Sequence, residues 1–298
     1  MSSLRSLRPR GRAAAILGAA AAVALLASAC APKSDSTATS TASGSAASCS
    51  ASSLSLHTSG RLTVATDSPA YSPWFDSNDP SNGKGFESAV AYAVAKELGF
   101  TTSQVKWVTE SFDNSYAPGS KNFDFDVNEI SITPTRAKAV DFSTGYYDVN
   151  QGVLTLSTSK YAKAASLSAL KGAKIGVQVS TTSYQAVTNE IKPTGSVSVY
   201  NTTDDEVNAL KNGQVDAIVT DMPTVFYLAS AELDNGKIVG QFNYDGGTPE
   251  QFGLLLQKNS GLTSCVNQAI AKLKSSGELA SITKQWLSDS ADAPELTQ

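Results

Sequence analysis

Ser131-Ile132-Thr133-Pro134-Thr135-Arg136-Ala137-Lys138-Ala139-Val140-Asp141-Phe142-Ser143-Thr144-Gly145-Tyr146-Tyr147 is the stretch around which the rest of this 298-residue chain is arranged. It opens as the exit of a strand. Thr133-Pro134 then suits a helix N-cap followed by proline at the first helical position, which places Arg136 in the first turn. The positive end of a helix dipole disfavours a cation there by roughly a few tenths of a kcal/mol, so a nearby anion would account for the placement. Arg136 therefore reads as half of a carboxylate clamp, against the plainer alternative of a surface arginine at an ordinary helix start.

The segment resembles the S/T-I-T-x-x-R-x-x-x-V-x-F-S-x-x-Y-Y motif of the polar amino-acid solute-binding proteins that serve ABC importers. In that family the arginine pairs bidentately with the ligand's α-carboxylate, and the hydroxyl residue matching Ser131 helps to hold the ligand. The resemblance runs from about Gly60 to Leu287. It implies an α/β chain with a two-lobed, type II periplasmic-binding-protein-like fold, in which two crossover strands join lobes that are each a mixed sheet flanked by helices. Lobe 1 is then residues 60–149 and 252–298, and lobe 2 residues 150–251.

The first residues belong to neither lobe. Arg5, Arg8, Arg10 and Arg12 precede an apolar run over residues 13–26, and Leu26-Ala27-Ser28-Ala29-Cys30 closes it with small residues. The run is short for a membrane span and has the order of a secretion signal. It resembles a bacterial lipoprotein signal over residues 1–29, with Cys30 lipidated as the new N-terminus. Ala27 departs from the usual leucine at its place. Removing the signal takes four arginines from 23 basic residues, leaving 19 against 27 acids and a net charge of −8. No basic stripe remains to neutralise phosphates, which disfavours nucleic acid as a partner. A cationic or zwitterionic solute is compatible with that balance.

Residues 31–53 are rich in Ser, Ala and Thr, and the segment 30–59 is expected to be a flexible tether. With Cys30 assigned to lipid, Cys49 and Cys265 remain as an even pair in an oxidising compartment. Either they form a disulfide that staples the tether to the body, or they are two unpaired thiols with Cys265 in the core.

In lobe 1, residues 62–67 alternate as a short strand, and Asp67 opens a loop rich in proline and aromatics. Loops at the carboxyl ends of strands are where open α/β sheets bind ligands. The family stacks an aromatic on the ligand here. Tyr71 matches it, with Trp74 beside it, and either ring contacts ligand or packs on its own loop. Residues 87–98 form a helix ended by Gly99, and Phe112 falls where the family supplies a second ring, giving a candidate cage with Tyr71 for an aliphatic or cationic side chain.

The chain departs from the family at residues 123–131. A central strand is expected there, yet it carries Asp126, Asn128 and Glu129, which need partners or solvent. Glu129 either contacts the ligand, favouring a cationic or amide-bearing side chain, or pairs internally with a basic residue.

In lobe 2, residues 174–178 are a strand, and Thr181 and Thr182 start a helix where the family has G-T-T and binds the ligand carboxylate on free backbone N–H groups. Ser180 stands where glycine is usual. Both threonines are equally readable as plain N-caps. Residues 214–221 resemble the family's G-x-V-D-A-x-x-x-D, whose last acid, here Asp221, takes the α-ammonium; the alternative is an N-cap before Met222-Pro223. Residues 246–253 resemble the returning crossover.

The one histidine, His57, lies away from every candidate site, and no P-loop or dinucleotide motif occurs, so histidine triads and zinc clusters are excluded and no metal or cofactor is expected. The resemblance implies a monomeric, lipid-anchored, extracytoplasmic protein that is not an enzyme, captures an amino acid, polar or cationic by the acids at Asp126 and Glu129, and delivers it to an ABC permease in the membrane. Two alternatives stay open. One is a cyclohexadienyl-type dehydratase on the same fold, with Glu129 or Asp126 as general acid; the other is a ligand-sensing domain.

Overall fold

The computed structural model describes residues 49–244, 250–287 and 293–298. The signal segment, Cys30, most of the expected tether and residues 246–249 of the second crossover lie outside them. Strands β1 (Leu62–Thr66), β2 (Val105–Thr109), β3 (Phe125–Asp126) and β4 (Val140–Phe142) belong to a first sheet. After the crossing strand β5 (Tyr147–Val149), a second sheet takes β6 (Gln151–Leu156), β7 (Ile175–Gln178), β8 (Ser198–Tyr200), β9 (Ala217–Asp221) and β10 (Gly236–Phe242). The chain returns through β11 (Glu250–Phe252), and β12 (Leu255–Gln257) completes the first sheet.

The sheet orders are β2-β1-β3-β12-β4 and β10-β6-β9-β7-β8, and both sheets are mixed. In the first, β1 runs parallel to β2 and β3 while β12 runs antiparallel to β3 and β4. In the second, β7 is parallel to β8 and β9, and β6 is antiparallel to β9 and β10. Between the sheets, β5 and β11 pair antiparallel with Phe252 opposite Tyr147, a two-stranded hinge formed by the two crossings. This is the two-lobed, type II architecture.

Helices are α1 (Phe86–Glu97), α2 (Phe112–Ser115), α3 (Arg136–Ala139), α4 (Thr182–Ala186), α5 (Thr203–Lys211), α6 (Met222–Tyr227), α7 (Thr263–Ser275) and α8 (Glu278–Leu287). The helix α1 starts at Gly85, whose φ of 92° and a Cβ that would meet the Trp74 carbonyl at 2.4 Å leave room only for glycine. Gly99 ends it at φ 86°, with Phe100 N–H bonding back to the Ala95 carbonyl. Thr133 does cap α3: its hydroxyl accepts the Arg136 N–H at 3.2 Å. In lobe 1, α1, α7 and α8 cover one face of the sheet with Val90, Val94, Val266, Ile270 and Leu273, all buried.

Three expectations change. The central strand foreseen over residues 123–131 is confined to the two residues of β3, and Glu129, at φ 52°, turns the chain out of the extended conformation. Asp124, just before it, donates its backbone N–H to the Thr63 carbonyl at 2.8 Å while its carboxylate accepts the backbone N–H groups of Thr63 at 2.6 Å and His57 at 2.7 Å. The expected flexible tether ends sooner than residue 59. Cys49 is disulfide-bonded to Cys265, and Leu54 and Leu56 pack on the lobe 1 core, so apolar burial orders the chain from there onward.

The C-terminal residues, assigned above to lobe 1, lie on lobe 2. Glu295 bridges Gln241 and Thr297 bridges Ser166, and Leu296 is buried among Val153, Val239 and Phe242. The cause is β10, an edge strand whose free N–H and C=O groups are satisfied by the tail. Gly240 permits the approach, since a Cβ there would lie 2.5 Å from the Pro294 carbonyl.

Candidate functional site

A cleft lies between the lobes. Lobe 1 lines it with Asp67, Pro69, Tyr71, Phe112, Asn128 and Glu129. Lobe 2 supplies Gln178, Thr181, Thr182, Ser183, Thr203, Thr220, Asp221 and Thr224. These residues sit at or just beyond the carboxyl ends of β1, β2, β3, β7, β8 and β9, where open sheets bind ligands.

Seven of the expected residues meet here: Asp67, Tyr71, Phe112, Glu129, Thr181, Thr182 and Asp221. Gln178 and Thr220 were missed although each sits at a strand's carboxyl end, the signal that singled out Asp221. Thr224, one turn beyond Asp221, has no local signature.

Three expected residues do not line the cleft. Trp74 is 0% exposed, packed edge-on against Phe86, Tyr147 and Phe252 at ring distances of 5.9, 6.0 and 5.5 Å. Its indole N–H reaches lobe 2 and donates to the Thr224 hydroxyl at 2.8 Å. Ser131 is buried, bridged to Phe252, and its carbonyl accepts from Arg136 Nη1 at 2.8 Å.

Arg136 itself does not open onto the cleft. Its Nη2 donates to the Ser180 carbonyl of lobe 2 at 3.0 Å, and its guanidinium stacks between Phe112 and Tyr116, 5.3 and 4.8 Å from the ring centres. A buried guanidinium must spend its N–H groups on acceptors, and two carbonyls meet that need. Ser180 offers its carbonyl because the backbone turns at φ 65°, the left-handed conformation that explains the family's glycine there. Arg136 is thus a bridge between lobes, and burial draws its pKa down from the ordinary arginine value.

The cleft's charge is one-sided. Its lining holds three carboxylates, Asp67, Glu129 and Asp221, and no Lys, Arg or His. Burial pushes all three up from the ordinary carboxylate range. For Glu129 the neighbouring Glu87 and Asp221 add to the shift, and for Asp221 Glu250 does, opposed by the amide of Gln151. Asp67 is held partly in check by the backbone N–H groups of Ser68 at 2.6 Å and Phe112 at 3.3 Å. Glu87, behind Glu129, is raised to about 7 by burial. Tyr71 is pushed up to about 12 by burial and the Asp204 carboxylate.

Among the described residues no ion pair forms within the cleft, although the nearby Arg136 charge draws the Asp221 pKa down. Among the described residues the three ion pairs within 4 Å, Lys96–Glu278, Lys258–Asp141 and Lys272–Glu97, all lie on lobe 1 away from the cleft. The internal pairing left open for Glu129 is therefore not made with a basic side chain. Its partners are the Thr224 hydroxyl, donating to Oε2 at 3.3 Å, and Glu87, which accepts its backbone N–H at 2.7 Å. Chemically the cleft is an acceptor-rich pocket with hydroxyls at one side, suited to a ligand that brings positive charge.

Known proteins agree with this architecture. The glutamine-binding protein GlnH of an ABC transporter of Bacillus subtilis (strain 168) is 31% identical over 222 residues, 72% of this chain and 77% of that one. An ancestral arginine-binding protein solved with arginine superposes at a TM-score of 0.64 with 32% identity, covering 76% of this chain and 98% of that one. The ancestral amino acid-binding protein AncCDT-1, a precursor of cyclohexadienyl dehydratase, superposes at 0.63 with 30% identity over 76% of this chain and 95% of that one. The family profile for bacterial extracellular solute-binding proteins, family 3, matches residues 62–289, and the chain belongs to that family.

Proposed function

We propose that this chain is the extracytoplasmic binding component of an ABC importer that captures one amino acid with a cationic side chain and presents the closed, loaded form to a membrane permease. The observation that carries the reading is the cleft's set of three carboxylates without a basic residue. A zwitterion with a second positive charge answers it: Asp221 takes the α-ammonium, and Asp67 and Glu129 take the side-chain cation beneath the Tyr71 ring. Thr181 and Thr182 take the α-carboxylate. Because the acids come from both lobes, the ligand joins them and biases the hinge toward closure. The protein acts as a monomer held at the membrane by lipid on Cys30, without metal or cofactor.

A thermal-shift screen of the twenty amino acids, with calorimetry on hits, tests this. Stabilisation by L-arginine or L-lysine, lost in Glu129→Gln, is the expected result. Stabilisation by acidic or apolar amino acids alone would overturn the cationic class.

A dehydratase reading has one observation in its favour, the raised pKa of Glu129, which would keep a proton available at the cleft. Turnover of prephenate by the wild type, abolished by Glu129→Gln, would establish it in place of the transport reading.

A further inference from the structure

Glu129 holds a constrained place. Its φ is 52°, a left-handed conformation that residues with side chains rarely adopt, and its backbone N–H is tied at 2.7 Å to Oε1 of Glu87. Glu87 is 0% exposed in the first turn of α1 and also accepts the Tyr146 hydroxyl. The backbone N–H of Glu87 in turn donates to the Trp74 carbonyl at 2.9 Å.

The side chain of Glu129 closes the circuit through the other lobe. Its Oε2 accepts from the Thr224 hydroxyl at 3.3 Å, and Thr224 Oγ1 accepts from the Trp74 indole at 2.8 Å. Direction matters here. An indole N–H only donates, so the Thr224 oxygen is the acceptor in that bond, and its single proton is left to point at Glu129. Oε2 is thereby held as an acceptor. Phenylalanine would fill the ring packing among Phe86, Tyr147 and Phe252 but would leave the hydroxyl free to reverse.

We propose that Trp74 is a specificity-determining positioning residue: by fixing the direction of the Thr224 hydroxyl across the lobe interface, its indole N–H holds the Glu129 carboxylate as an acceptor for the cationic group of the ligand. This rests on the cationic reading above. Trp74 does not line the cleft, and of the side chains its indole touches, Phe86, Tyr147, Phe252 and Thr224, only Thr224 does.

The test is calorimetry of L-arginine and L-glutamine binding to the wild type, Trp74→Phe, Thr224→Val and the double variant. Trp74→Phe should weaken L-arginine about tenfold and L-glutamine less than about threefold, and should add nothing further once Thr224 is Val. Equal weakening of both ligands, or the same loss on the Thr224→Val background, would overturn the proposal and leave Trp74 a packing residue. A second measurement needs neither ligand nor a folded Trp74 variant. The chain has three tryptophans, so Trp107→Phe and Trp286→Phe assign the remaining indole N–H resonance to Trp74. That resonance should move in Glu129→Gln while the other two stay in place, and an unmoved signal would break the relay. If the wild type binds neither amino acid, the indole spectrum alone decides the relay.

Discussion

Asp221 and Glu250 share one donor: the side-chain nitrogen of Gln151 bonds to Asp221 Oδ1 at 2.9 Å and to Glu250 Oε1 at 2.7 Å. Gln151 is 0% exposed and begins β6, directly after the first crossing, while Glu250 opens the returning strand β11. The acid facing the cleft is therefore tied through one amide to the start of β6 and to the hinge strand β11.

Gln151→Leu removes that donor from two buried carboxylates. Losing a hydrogen bond to a charged group costs about 1.5–3 kcal/mol, so binding is expected to weaken by at least about tenfold. The factor should be alike for L-arginine and L-glutamine, since both carry the α-ammonium assigned to Asp221. Calorimetry with both ligands checks it, and a loss confined to L-arginine would show that Asp221 reads the side chain instead.

Stability should fall as pH rises. Glu87 titrates near 7 in the folded chain against about 4.5 unfolded, so its contribution is complete below about 4.5 and is lost as pH climbs through 7, about 3 kcal/mol in all. Asp126, Glu206, Glu129 and Asp221 are shifted in the same direction, chiefly by burial, and no hydrogen bond relieves either oxygen of Asp126 or Glu206. A drop in Tm of roughly 6–12 °C from pH 5 to pH 8 is expected without ligand. Glu87→Gln should flatten the slope, and so should saturating L-arginine, whose charge favours the ionised acids. A Tm that climbs over this range would contradict the assignment.

Arg136 joins lobes as well as any ligand. Replacing it with Ala removes two bonds to carbonyls of opposite lobes and should cost about ten- to a hundredfold in affinity, irrespective of the ligand's side chain. Arg136→Lys should recover little, because a compact ammonium cannot span both carbonyls while stacked between Phe112 and Tyr116. Scattering in solution, read as radius of gyration with and without L-arginine, would show the variant failing to close. Wild-type affinity in Arg136→Ala would remove the bridge.

The bond between Cys49 and Cys265 spans a sequence separation of 216 residues. Chain-entropy reasoning gives about 5 kcal/mol for a loop of that length as an upper bound, and native bonds commonly yield about 2–4. Cys265→Ser together with Cys49→Ser is expected to lower Tm by roughly 5–15 °C with little change in ligand affinity. Thiol titration of the unfolded, unreduced protein should find neither cysteine reactive.

What could be read from the sequence is what depends on local pattern. Gly99, the cap at Thr133 and the strand ending in Asp221 are each decided by neighbours within a few residues. Trp74 was misplaced for the opposite reason: its partner Thr224 is 150 residues away, and an aromatic in a proline-rich loop looks the same whether it faces a ligand or a core. Arg136 was misplaced because its acceptors are backbone carbonyls, which carry no residue-type signal. The acids over residues 124–129 announced that the central strand was unusual, and only their positions in space separated Asp124, which ties down backbone N–H groups, from Glu129, which faces the cleft. The tail of lobe 2 could not be foreseen, since its pairing is set by an edge strand over fifty residues earlier.

That tail carries a practical consequence. Cys49 is fastened to the first lobe, and residues 293–298 are fastened to the second. Fluorophores placed beside these two points, one at Ser50 and one at Gln298, would sit on opposite jaws without touching the cleft. Their energy transfer would report opening and closing directly, making the chain a ready scaffold for a reagentless optical sensor of whatever solute it carries.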